Sequence, residues 1–138
     1  MPTAAQIAIV RRSFADVLPV ADAVAALFYA RLFQLAPDTR PLFTGDPIVQ
    51  GDKLIVTLAA VVEALDRFDS VAPTARALAL RHVDYGAREH HYDVVGIALL
   101  DTLRLTLGRR FDAETEAAWA AAYQMLADTM IDAARRAA

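Results

Sequence analysis

Apolar residues along this chain recur every three or four positions, and no segment alternates one by one. That period is the repeat of an amphipathic α-helix and argues against half-buried strands. Leu54, Leu58, Val61, Val62 and Leu65 fall on one face of one such helix. Tyr92, Val95, Leu99 and Leu103 share a stripe of a second, and Trp119, Tyr123, Leu126 and Met130 a stripe of a third. Ala, Leu, Arg and Glu, all good helix formers, dominate between the breaks. The expected fold class is all-α.

Sparse glycines and prolines place the breaks. Thr3 followed by Gln6 reads as a capping box opening a first helix to about Asp16. Pro19 is expected to start a second helix, ending near Leu35. A short turn at 39–43 and a loop at 44–47 precede a third helix from Ile48 to about Arg67. A shorter helix opens at 70–73 and ends near Asp84, where Gly86 breaks it. A fifth runs from about Glu89 to Leu107, stopped by Gly108. Asp112 opens the last, with 135–138 expected to fray. Connections that turn corners favour an irregular helical sandwich over an up-down bundle with short loops. A length of 138 residues suits one domain, and no repeat or linker divides it.

Several chemistries are excluded. With no cysteine, thiolate metal sites, iron–sulfur clusters, thiol catalysis and covalent c-type haem are all ruled out. A net charge of −3 with scattered arginines builds no phosphate-neutralising patch, which argues against nucleic acid. The motifs GxGxxG, GxxxxGK[ST], HExxH and GxSxG are missing. No glutamate has a histidine three residues on, as di-iron bundles require. No uncharged run approaches the ~20 residues of a membrane span. The N-terminus lacks the basic-then-apolar order of a signal peptide, so a soluble cytoplasmic chain is expected. The hydrophobic content, 57 %, is high for a chain this small. Such a chain is expected to bury something besides itself.

Three histidines remain. His90 and His91 are neighbours at a helix start. Adjacent helical residues point about 100° apart, so the pair reads as a solvated helix end that cannot chelate one ion. His82 lies late in the short helix. It reads either as a locally satisfied helix histidine or as a single axial ligand to a metal held elsewhere, as in haem. Tyr29 sits among Phe28, Leu32 and Phe33, where its hydroxyl needs a backbone carbonyl or the surface. Gln50 by itself reads as a polar surface residue.

In order along the chain come Leu27-Phe28-Tyr29-x-x-Leu32-Phe33, Arg40-Pro41-Leu42-Phe43 and Gln50-x-x-Lys53-Leu54. Arg81-His82-x-x-Tyr85-Gly86, His91-Tyr92-x-x-Val95-Gly96 and Ala118-Trp119-x-x-x-Tyr123 follow. Together they resemble the globins of the bacterial single-domain type, the globin domain of flavohaemoglobins and neuroglobin, over almost the whole chain. The resemblance implies a globin fold, a three-over-three helical sandwich around a haem pocket, with non-covalent haem b as cofactor. It implies His82 as the proximal iron ligand, Phe43 against the porphyrin face, and Tyr29 with Gln50 as the distal polar pair. It places Leu54 above the distal face, Lys53 at the rim near a propionate, Val95 in contact with haem and Tyr92 on the proximal side. It implies reversible binding of O2, with CO and NO as further ligands.

The sequence departs from flavohaemoglobins at one point of the last helix. Ala134 stands where their proximal network has a glutamate, although Asp132 lies nearby. Without that carboxylate, imidazolate character at His82 is expected to be weaker. No reductase domain accompanies these residues, so multi-turnover redox chemistry is expected to need an external reductase. The alternatives are a nitric oxide dioxygenase working with a separate reductase, a haem-based gas or redox sensor and, from another class, a cofactor-free helical interaction module. Monomer and homodimer both stay open.

Overall fold

Six α-helices carry the chain: α1 Ala4–Val17, α2 Ala21–Leu35, α3 Pro47–Glu63, α4 Ala72–Asp84, α5 Glu89–Leu107 and α6 Ala113–Ala137. The structure is a computed structural model that describes residues 1–137, and no strand occurs among the described residues. Local chemistry sets most boundaries. The Thr3 hydroxyl accepts from the Gln6 N–H at 3.1 Å, and the Gln6 amide oxygen accepts from the Thr3 N–H at 2.9 Å. Asp46 caps α3 through the Ile48 N–H, with Pro47 at the first helical position. Asp112 caps α6 through the Thr115 N–H at 2.8 Å.

Three boundaries differ from the sequence reading. Pro19 lies in a 3-10 turn, Leu18–Val20, and α2 begins only at Ala21. The third helix stops at Glu63 and gives way to a 3-10 turn, Leu65–Ser70, in which Arg67 leaves helical geometry. Arg11 explains that stop. Its guanidinium donates to the carbonyls of Val62 and Glu63 and to the Asp66 carboxylate, so the last carbonyls of α3 find partners off the helix. At the other end, α6 continues to Ala137, where Arg135 pairs with Glu89. Of the segment expected to fray, 135–137 are helical and Ala138 lies outside the described residues.

The helices meet over a core that includes Val10, Phe14, Val24, Leu32, Leu103 and Trp119. Helix α1 lies on α6, α2 packs on α5 and α3, and α4 packs on α6. Phe14 meets Trp119, whose indole N–H donates to the Ser13 hydroxyl at 2.8 Å. Ser13 in turn donates to the Ile9 carbonyl, so no buried polar atom there is left unpaired. Gly51 lets α3 approach α2: a Cβ at that position would lie 3.1 Å from the Ala25 Cβ. The near-continuous stretch Ala4–Leu35 contains an 18-residue window apolar enough, by composition, to cross a membrane. It also contains Asp16, Asp22 and the Pro19 turn, and its residues Val10, Phe14, Val17, Val24, Phe28 and Leu32 belong to the core.

Candidate functional site

A cavity of about 190 Å³ opens among α2, α3, α4, α5, α6 and the 3-10 corner Pro37–Leu42. That is many times the ~10–15 Å³ one buried water needs. Its walls are mostly apolar. Helix α3 contributes Leu54 and Leu58, the corner Leu42 and Phe43, α4 Leu78 and His82, α5 Tyr92, Val95 and Leu99, and α6 Leu126 and Met130. No Asp, Glu, Lys or Arg lines it. An open surface depression beside Arg88, Glu89, His90 and Asp93 has no apolar lining of this kind.

His82 is the polar group of the α4 wall. Its Nδ1 lies 2.8 Å from the Leu78 carbonyl one turn earlier. A carbonyl only accepts, so Nδ1 carries a proton, and in the neutral ring the lone pair is on Nε2. A half-buried imidazole with one nitrogen anchored and the other unprotonated is the arrangement of a metal-ligating histidine.

The structure brings five of the expected site residues to this cavity: His82, Phe43, Leu54, Tyr92 and Val95. Tyr29, Gln50 and Lys53 are not in its lining. The Tyr29 ring packs among Phe28, Phe33 and Phe43, with centroids 5.2, 6.1 and 5.2 Å away. Its hydroxyl donates to the backbone carbonyl of Gln50 at 3.3 Å, so the two expected partners meet through the main chain. Burial raises the Tyr29 pKa and keeps the phenol a donor. The Gln50 side chain lies over Gly45. Lys53 is exposed on α3. Ala134 is half-buried on α6.

Behind the cavity, the Tyr123 hydroxyl donates to the Tyr92 carbonyl at 2.6 Å, and burial pushes its pKa well up. The Tyr92 pKa is also raised by burial. The lining residues Leu58, Leu99, Tyr123, Leu126 and Met130 were visible in the sequence only as helix stripes, indistinguishable from core. Thr39, Leu78 and Ala87 carried no sequence signal at all.

His91 was misread. It is 7 % exposed and lines the cavity, so the pair is not a solvated helix end. The ring centroids of His90 and His91 lie 4.1 Å apart, and both turn toward Asp38. The 100° rule holds for Cα–Cβ directions, but the long imidazole arms swing back around the first turn to a carboxylate from another element.

The comparisons with known proteins agree with this geometry. The family model "Globin" matches residues 26–130. A flavohemoprotein of Bordetella parapertussis is 35 % identical over 113 residues, which are 80 % of this chain and 28 % of that protein. The chain thus spans under a third of such relatives. An anaerobic nitrite reductase of Oryza sativa subsp. indica is 27 % identical over 94 % of each chain. Among solved structures, a bacterial globin from Campylobacter jejuni superposes with a TM-score of 0.85 at 24 % identity over 97 % of each chain. The engineered carbene transferase RmaNOD from Rhodothermus marinus gives 0.88 at 26 % identity, covering 99 % of this chain and 96 % of that one. The fold is the expected three-over-three helical sandwich, and the chain belongs to the globin family, whose members bind haem and small gas ligands.

Proposed function

We propose that this chain holds haem b non-covalently in the apolar cavity, with His82 as axial ligand, and reversibly binds O2, CO and NO. The observation that carries the reading is the His82–Leu78 hydrogen bond, which leaves Nε2 basic on a side chain lining a cavity with no charged residue. The donor set suits haem: one anchored imidazole, flat aromatic and aliphatic walls, and no competing carboxylate.

Haem would supply an iron able to coordinate an imidazole and a gas, and His82 would hold it. The chain's residues do the rest. Phe43, Leu54, Leu58 and Val95 line the cavity and would keep water from the bound group. The Tyr29 hydroxyl, which donates a long hydrogen bond to the Gln50 carbonyl at 3.3 Å, would donate to a bound gas if the ring turned toward the cavity. Gln50, on α3, would be the second distal polar group, and the exposed Lys53 would meet a propionate.

A second reading is nitric oxide dioxygenase activity with an external reductase. It draws on the flavohemoprotein relatives and on the nitric oxide dioxygenase designation of the Rhodothermus protein. The proposed location is cytoplasmic.

The test is an absorption spectrum of the purified protein titrated with haem, in ferric, ferrous and CO-treated forms. An intense band at the blue edge of the visible range that shifts with CO supports the assignment; a colourless protein that takes up no haem sinks it. NO consumption in the presence of O2, with and without added reductase, then separates dioxygenase turnover from gas carriage.

A further inference from the structure

His91, His90 and Asp38 place three donor atoms within 4.8 Å of one another, the spacing of a transition-metal site. The second nitrogen of His91 argues otherwise. Its Nδ1 accepts the backbone N–H of Arg88 at 2.8 Å, so Nδ1 is unprotonated. Nε2 must then carry the proton, and it donates to the Asp38 carboxylate at 3.0 Å. A metal on Nε2 would force a proton onto Nδ1, facing another N–H. Metal-bound histidines show the opposite arrangement, donating their second N–H to an acceptor.

The hydrogen bond joins two elements that flank the cavity. Asp38 lies on the 3-10 corner, next to Thr39 and shortly before Leu42 and Phe43, all three of which line the cavity. His91 opens α5 and lines the cavity beside Tyr92. The two residues are 53 positions apart; His90 Nε2 stands 3.7 Å from the same carboxylate oxygen, outside hydrogen-bond distance, so the short bond is the one to His91. Asp38 is exposed while His91 is buried and lines the cavity, so the bond runs from the cavity wall to the surface. The bond to His91 holds the Asp38 carboxyl below its ordinary value, which keeps the acceptor charged.

We infer that Asp38 and His91 form a latch across the cavity mouth that slows the escape of haem. The inference rests on the haem reading above. Asp38 and His91 are positioning residues here: opening the mouth requires breaking their bond, whereas the axial bond is made by His82.

The experiment loads wild-type protein and variants with haem, then times its transfer to an excess of a haem-scavenging apoprotein. Asp38→Ala is expected to release haem about threefold to tenfold faster, the effect of a charge-assisted bond discounted for exposure. Asp38→Asn, which keeps an acceptor, is expected to fall between. His91→Gln keeps an acceptor for Arg88 and a donor for Asp38 and is expected to release near the wild-type rate. Glu89→Gln breaks an exposed ion pair on the same helix turn and is expected to leave the rate unchanged. Nitrogen NMR of His91 in the CO-treated protein is expected to report protonation at Nε2, altered by Asp38→Ala and not by Glu89→Gln. If wild type takes up haem but Asp38→Ala releases it at the wild-type rate, or Glu89→Gln speeds release equally, the latch is overturned alone. If wild type takes up no haem, the haem reading falls and the latch with it.

Discussion

The ring of Tyr123 occupies the space that a side chain on Gly96 would need. A Cβ at Gly96 would lie 2.8 Å from Cε2 of that ring. Helices α5 and α6 therefore approach at a buried glycine, and the ring so seated lines the cavity while its hydroxyl holds the Tyr92 carbonyl. The carbonyl it holds belongs to a cavity residue, so packing behind the site fixes the position of α5 at the site.

Gly96→Ala is expected to destabilise the protein. Overpacking against a rigid ring costs about 1–3 kcal/mol, and the better helix propensity of Ala recovers up to about 1 kcal/mol. Denaturant unfolding of the haem-loaded protein measures the difference. A variant as stable as wild type would mean that the two helices separate freely.

Ser13→Ala removes the acceptor of the buried Trp119 N–H. An unsatisfied buried donor costs about 1–3 kcal/mol. Equilibrium unfolding is expected to show that loss, and Trp119 fluorescence to report a changed indole environment. Unchanged stability would show that the indole finds another acceptor.

His82→Gly removes the proposed axial nitrogen while leaving α4's length intact. Haem retention is expected to weaken by more than about tenfold, and free imidazole to restore it along with the ligand-field bands. A spectrum identical to wild type without imidazole would move the ligand elsewhere.

Tyr29→Phe keeps the ring among Phe28, Phe33 and Phe43 and deletes only the hydroxyl. O2 release measured by stopped flow is expected to accelerate about tenfold, the low end for a partly charge-assisted bond. Equal release rates would confine the hydroxyl to tying α2 to Gln50.

Acid should loosen the fold through specific carboxylates. The hydrogen bond from Arg11 holds Asp66 below its ordinary value of 3.8, and that from Arg135 holds Glu89 below 4.5. Below those ordinary values the unfolded chain binds more protons than the folded one, so stability falls as pH drops toward the folded values. Above about pH 5 the contribution is complete. Melting temperatures measured between about pH 5 and pH 3 are expected to fall more gently in Asp66→Asn/Glu89→Gln than in wild type; parallel curves would place the acid sensitivity elsewhere.

Period and caps made much of the fold legible, because both are set within one to four residues. The Thr3–Gln6 box, the Asp112 cap, the Gly86 and Gly108 breaks and the apolar stripes of α5 and α6 all lie where the sequence places them, while the stripe of α3 loses Leu65 to the 3-10 turn. The ordered run of motifs from Phe28 to Tyr123 named the family before any helix was packed. His82, Phe43, Leu54, Tyr92 and Val95, which the resemblance singled out, all line the cavity.

Tertiary structure alone decided the rest. Arg11 ends α3 by taking the carbonyls of residues 51 and 52 positions away. Tyr29 donates a hydrogen bond to a main-chain oxygen on α3, which no pattern of side chains encodes. Asp38 and His91 meet because the 3-10 corner folds against the start of α5. The sequence determined which helices form and which faces they bury; how those helices cross determined which polar atoms meet, since a hydrogen bond reaches only about 3 Å.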